Sequence, residues 1–258
     1  MKVCSMVGWK KKFGVLTLAS LMAVSLMGCG KGGSAKSDEI RIGALFELTG
    51  AVANYGKSSL NGAQMAVDEI NGKGGINGKK IRLVSADNKS EPSEAGNQAT
   101  KLITKDKVAV IVGPCTSGST AAASPVVSGS KVPLISPSAT APGITVDDKG
   151  KVRPYIFRVC FTDPFQGKIL ATFAVDELKL KKIAIYNDSS SDYSKGLAEV
   201  FAKTLESKGG EEAFLAKDQD FKATLTKLKA ANPEALYVPA YYEEVSKIVK
   251  QAREVGIT

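Results

Sequence analysis

From Ile40 onward the chain alternates short apolar runs with longer stretches in which apolar residues recur every three or four positions. Ile40 to Phe46, Ile81 to Asp87, Val108 to Gly113 and Val132 to Ser136 have the length and branched-residue content of buried strands. Between them Leu60, Ala63, Val67 and Ile70 keep the helical period, as do Ala95, Ala99, Leu102 and Ile103. Parallel neighbouring strands need a crossover, which a helix supplies, so this rhythm predicts an α/β fold built on a doubly wound parallel sheet.

Ala141 to Pro154 breaks the rhythm and reads as a loop. Tyr155 to Val159 is then a fifth strand, after which the alternation restarts. A helix from Pro164 carries Phe165, Ile169 and Phe173, a strand runs from Lys182 to Asn187, and a helix from Ser194 carries Leu197, Val200, Phe201 and Leu205. A weaker strand near Ala213 to Leu215 follows, then a helix with Phe221, Leu225 and Leu228 and a strand from Ala235 to Pro239. The last helix holds Val245, Ile248, Val249, Ala252 and Val255. Two lobes are predicted, 40–160 and 161–258, with their junction near Cys160 to Asp163. The second lobe has few strands, and Gly256 stands where a helix C-cap would lead into another, so this lobe is expected to be incomplete.

The first residues differ in kind. Met1 to Lys12 is basic, and Phe13 to Leu26 is a 14-residue apolar run closing on Leu26-Met27-Gly28-Cys29. A membrane helix needs about 20 apolar residues, so residues 1–28 read as a removable export signal. Leu-x-Gly-Cys resembles the bacterial lipobox, which makes Cys29 the expected lipidation site. Residues 29–39 then form a Gly/Ser-rich tether to an extracytoplasmic, lipid-anchored body.

Charge and composition narrow the chemistry. The formal net charge is +9, but Lys2, Lys10, Lys11 and Lys12 supply four of those charges, and no basic-aromatic cluster follows, so nucleic acid is not an expected partner. With no His and no Cys-x-x-Cys pair, neither the Ser-His-Asp and Cys-His mechanisms nor the common zinc sites can be built. No metal or cofactor is expected. Cys115 and Cys160 both end predicted strands and read either as a disulfide or as two buried free thiols.

Two glycine-rich segments invite comparison with phosphate loops. Gly72 to Lys79 follows a helix and lacks the P-loop and dinucleotide spacings, so it reads as a helix C-cap and turn. Gly113 to Thr120 directly follows an apolar strand and opens a small-residue helix, placing hydroxyls and unpaired amides where α/β folds bind ligands. Those hydroxyls suit either plain N-capping by Thr116 or Ser117, or a mouth for a carboxylate. Ser136 to Thr140 repeats the hydroxyl theme at the next strand end. Tyr55, Tyr193 and Tyr241 are predicted in loops after strands, where they would wall a small-molecule pocket.

In this order the motifs resemble the leucine/isoleucine/valine-binding proteins of ABC importers, within the type I periplasmic binding proteins. The matching stretches are Ile42 to Leu45 with Leu48-Thr49-Gly50 and Tyr55-Gly56, Asn61 to Asn71, and Gly74 to Gly78. Gly113 to Ser119, Ser136 to Pro142, Arg158 with Asp163, and Asn187 to Gly196 continue the match. The resemblance implies that Ser117 with the backbone around Cys115, and Thr140 with the backbone at Ser138, hold the head of an amino acid. Tyr55 would approach it from the first lobe, and Tyr193 and Tyr241 would close from the second. The family's acidic partner for the ligand ammonium would lie beyond Thr258. The resemblance further implies capture without catalysis and delivery to ABC permease subunits. The alternatives are a sensor subunit for amino acids, amides or short carboxylates, and an exported hydrolase using Ser117, which lacks a base in sequence.

Overall fold

The computed structural model describes residues 39–147, 149–205, 211–214 and 217–257. The expected signal, Cys29 and nearly all of the tether lie outside the described residues. Eight strands are described: β1 (Glu39–Phe46), β2 (Lys80–Asp87), β3 (Val110–Val112), β4 (Leu134–Ser136), β5 (Ile156–Arg158), β6 (Ile183–Asp188), β7 (Glu211–Phe214) and β8 (Ala235–Tyr237). They form two sheets, ordered β2-β1-β3-β4-β5 and β7-β6-β8, and every pairing is parallel. The helices between them are α1 (Ala53–Gly72), α2 (Pro92–Thr104), α3 (Ser117–Ser130), α4 (Asp163–Thr172), α5 (Asp192–Leu205), α6 (Lys222–Ala230) and α7 (Tyr242–Glu254).

Side chains two apart on a strand share a face, and this sorts each core into two layers. On β1, Leu45 joins Ala99 and Leu102 of α2 and Ala123 and Val127 of α3, whereas Ala44 and Phe46 meet Leu60 of α1 on the other side. On β6, Ile183 and Ile185 pack with Ala198 and Phe201 of α5, and Ala184 and Tyr186 with Leu225 of α6 and Ile248 of α7. Both sheets are therefore covered on two faces, as a doubly wound fold requires.

Most element boundaries agree with the apolar pattern, with the short strands trimmed by one to three residues. Two readings are corrected. The loop at 141–154 contains a 3-10 turn, Pro142–Ile144, whose Ile144 is buried, and an antiparallel bridge between Val146 and Val152. More consequentially, α4 buries the opposite face from the one its large apolar residues suggest. Phe165, Ile169 and, in the π-helical turn Phe173–Glu177 that continues α4, Phe173 are at least half exposed, while Gly167, Ala171 and Ala174 are buried. Small residues win this face because α4 packs closely on α5, where a Cβ at Gly167 would come within 3.1 Å of Val200.

The chain passes from the first sheet to the second between Arg158 and Asp163. The turn Gly72–Lys79 joins α1 to β2, at the opposite end of the sheet from the hydroxyl-rich loops.

Candidate functional site

The site begins at the carboxyl end of β3. Gly113 there has φ +103°, and a Cβ would lie 1.8 Å from the Leu45 carbonyl oxygen of β1, so only glycine lets the strand turn this close to its neighbour. The following turn is organised by Glu47, a fully buried carboxylate just past β1. It accepts from the Cys115 amide (3.0 Å), the Thr116 amide (3.2 Å) and the Thr116 hydroxyl (2.9 Å). Thr116 in turn caps α3, its hydroxyl oxygen accepting from the Ser119 amide at 3.4 Å.

This arrangement narrows the expectation for the backbone around Cys115. Its amide is taken by Glu47, and its carbonyl accepts from the Ser138 hydroxyl at 2.9 Å. Among the first-turn amides of α3, those of Ser117 and Gly118 are taken neither by Glu47 nor by the cap. The Ser117 hydroxyl accepts from the Ala141 amide (3.2 Å), and Ser136 donates to the Pro114 carbonyl (2.6 Å) while accepting from Ala139 (3.0 Å). These bonds lock the β3 and β4 ends together and leave Thr140 buried beside Ser117.

The tyrosines sit at helix starts, not in loops as expected, because α1, α5 and α7 begin before the first residue of the apolar helical period. Tyr55 lies in the first turn of α1, Tyr193 in the first turn of α5, and Tyr241 is the residue capping α7. Tyr193 and Tyr241 stack, with ring centroids 5.1 Å apart and planes at 12°. Tyr55 approaches Tyr241 edge-on at 6.2 Å and Tyr242 at 5.1 Å, and the Asn54 amide donates to the Tyr242 hydroxyl at 3.2 Å. The α5 and α7 starts are held in register by Ser194, whose hydroxyl donates to the Pro239 carbonyl and accepts from the Asp188 amide. Burial, then the Asp163 charge, push the Tyr193 phenol up to about 12, so it remains a neutral donor.

Tyr55, Cys115, Ser117, Ser138, Thr140, Tyr193 and Tyr241 all border one cleft of about 340 Å³ between the lobes, together with Thr116, Pro137, Cys160, Phe161 and Gln166. Cys115 and Cys160 are both free thiols. Burial, reinforced by the Glu47 charge, raises the Cys115 thiol to about 12, which leaves it an inert wall of the cleft. Sequence reasoning missed Glu47, whose signal was an acid placed directly after an apolar strand, and Phe161 and Gln166, which carried none. A larger groove of about 500 Å³ runs along the outer face of α4 by Phe165, Ile169 and Phe173. It is lined from that helix and the turn after it and lacks converging hydroxyls and amides, so the interlobe cleft is the better candidate. Among the described residues no acidic or cysteine cluster could hold a metal ion, and no helix is long and apolar enough to cross a membrane.

Two parallel α/β lobes with a hydroxyl- and tyrosine-lined cleft at the carboxyl ends of both sheets define the type I periplasmic binding fold. The chain belongs to the periplasmic binding protein family, matched over residues 39–258. It is 37% identical to the Leu/Ile/Val-binding protein BraC3 of Rhizobium johnstonii over 84% of this chain and 59% of that protein. Among solved structures, the branched-chain amino acid transporter substrate-binding protein LivJ of Streptococcus pneumoniae, in complex with isoleucine, is 48% identical with TM-score 0.79, covering 85% of this chain and 62% of that one. The leucine-binding protein LivK of Thermotoga maritima is 35% identical with TM-score 0.79, over 85% and 61%. The chain thus spans about three fifths of the length of these relatives.

Proposed function

We propose that this protein is the extracytoplasmic solute-binding component of an ABC importer, that it captures an amino acid with a branched aliphatic side chain between its lobes, and that it catalyses no reaction. The observation that carries this reading is the convergence of hydroxyl-rich strand ends from one lobe and stacked tyrosines from the other on a single cleft. The resemblance to the LivJ protein of S. pneumoniae, whose structure holds isoleucine, supports the choice of ligand. The ligand carboxylate would be met by the Ser117 and Gly118 amides and the Ser117 and Thr140 hydroxyls, with the backbone at Cys115 and Ser138 framing the head group. Tyr55, Tyr193 and Tyr241 would enclose the remainder.

Ser117 is a poor nucleophile in this setting, since its hydroxyl receives the Ala141 amide and no base hydrogen-bonds to it among the described residues. Release to permease subunits would follow lobe opening, because a ligand shared by two lobes stabilises their closed arrangement. Processing of residues 1–28 and lipidation at Cys29 would tether the protein to the outer face of the cell membrane.

Isothermal calorimetry against leucine, isoleucine, valine, small polar amino acids and short-chain acids tests the ligand. An affinity near ~1 μM, about −8 kcal/mol, is expected for a branched-chain member. Absence of heat across the panel would overturn the reading. Detergent partitioning with mass spectrometry of the amino-terminal peptide tests the anchor, and a Cys29→Ser protein is expected to move to the aqueous phase.

A further inference from the structure

The starts of α1 and α7 meet across the lobe boundary. Val52 stands at the N-cap of α1 and gives the helix no side-chain acceptor, so its first amides must find partners elsewhere. The Ala53 amide reaches the Gly50 carbonyl (3.3 Å) and the Tyr55 amide the Val52 carbonyl (3.1 Å), both within the first lobe. The Asn54 amide between them is satisfied from the second lobe. It donates to the hydroxyl of Tyr242, the first residue of α7, at 3.2 Å. The Tyr242 ring meets Tyr55 edge-on, with centroids 5.1 Å apart. Tyr55 and Tyr241 border the cleft, whereas Tyr242 stands outside its lining.

Each half of this contact is fixed to its own lobe. Leu60 seats α1 against Ala44 and Phe46 of β1, and Ile248 and Ala252 seat α7 in the core that holds Ala184 and Tyr186 of β6. The contact also lies far from the crossover. In the sheet order β2-β1-β3-β4-β5, the chain leaves the first lobe after β5, and β1 is three strands away. At about 4.8 Å per strand that is a lever of roughly 14 Å. A rotation of about 5° about the crossover would therefore part the two sides by roughly 1 Å, enough to break a hydrogen bond. Beyond β1, past the end of β2, Lys217 of the second lobe meets Glu91 of the first at 2.7 Å. Both ends of that ion pair are exposed, so it is screened and adds little.

We propose that Tyr242 is a positioning residue of the cleft, a latch that stabilises the closed arrangement by capping α1 from the opposite lobe without touching the ligand. The inference rests on the binding reading above. Ligand and latch favour the same arrangement, so the latch raises the affinity for every ligand by one common factor. A residue lining the pocket would instead change the ratios between ligands.

Calorimetric titration of wild type and Tyr242→Phe with leucine, isoleucine and valine tests this. The variant keeps the ring and removes only the acceptor. Its dissociation constants are expected to rise about two- to fivefold, as suits one exposed hydrogen bond, and by the same factor for all three amino acids. Tyr242→Ala, which also loses the edge contact with Tyr55, should raise them about tenfold. Hydrogen exchange of the Asn54 amide, followed by NMR without ligand, should be at least about twofold faster in Tyr242→Phe. Leucine should slow that exchange in the wild type and leave it nearly unchanged in the variant. Unchanged dissociation constants in Tyr242→Phe, a loss that differs between the three amino acids, or equal exchange rates would overturn the inference and leave the binding reading in place. If the wild type binds no member of the amino acid panel, the binding reading fails, and the ligand-free exchange comparison still decides whether Tyr242 holds the lobes together.

Discussion

Glu47→Gln is the substitution whose cost the geometry specifies most closely. The carboxylate has no exposure, and its two oxygens face three donors: the Cys115 amide on one side, the Thr116 amide and hydroxyl on the other. A glutamine of the same shape has one acceptor oxygen. If that oxygen faces Thr116, the new NH2 opposes the Cys115 amide; if the amide flips, the Thr116 amide is orphaned instead, although its hydroxyl can rotate to accept. The backbone cannot withdraw to relieve the conflict, because α1 packs so closely that a Cβ at Gly56 would stand 2.1 Å from the Glu47 carbonyl oxygen. One charge-assisted bond is lost and one buried amide is left unpaired, a destabilisation of about 2–4 kcal/mol. Urea unfolding followed by circular dichroism at pH 7 measures it. A difference below about 0.5 kcal/mol would show that Glu47 does not organise the β3–α3 turn and would refute the reasoning.

Three further outcomes follow from the same structure. Gly113→Ala places a side chain on a +103° backbone and against the Leu45 carbonyl, and should destabilise by roughly 3 kcal/mol or more in the same assay. At pH 8, peptide mass spectrometry after brief iodoacetamide treatment should find Cys160 alkylated at least about tenfold faster than Cys115, whose buried thiol is held up at about 12. Burial tends to raise the Asp87 carboxyl, but bonds from Thr49, Lys89 and Leu48 outweigh it and lower its pKa. Those bonds contribute above the ordinary carboxylate range and are lost as pH falls through the lowered folded-state pKa. Asp87→Ala should therefore cost about 1 kcal/mol at pH 7, with the gap to wild type closing below pH 3 in melts.

The apolar pattern alone determined the order of elements and both two-faced sheets, because alternation on β1 and β6 and the helical period between strands are local consequences of backbone geometry. It also marked the strand ends where Ser117, Thr140 and the tyrosines would gather, since hydroxyls and rings just past apolar runs stand at the carboxyl edge of a parallel sheet. Which face α4 buries was not legible: Gly167 and Ala171 are chosen by how near α5 comes, a distance fixed only when two helices meet. Nor was the commitment of the Cys115 amide to Glu47, 68 positions away. Hydrogen bonds and their absence depend on ångström-scale placement between distant segments, which side-chain periodicity does not encode and tertiary packing alone decides.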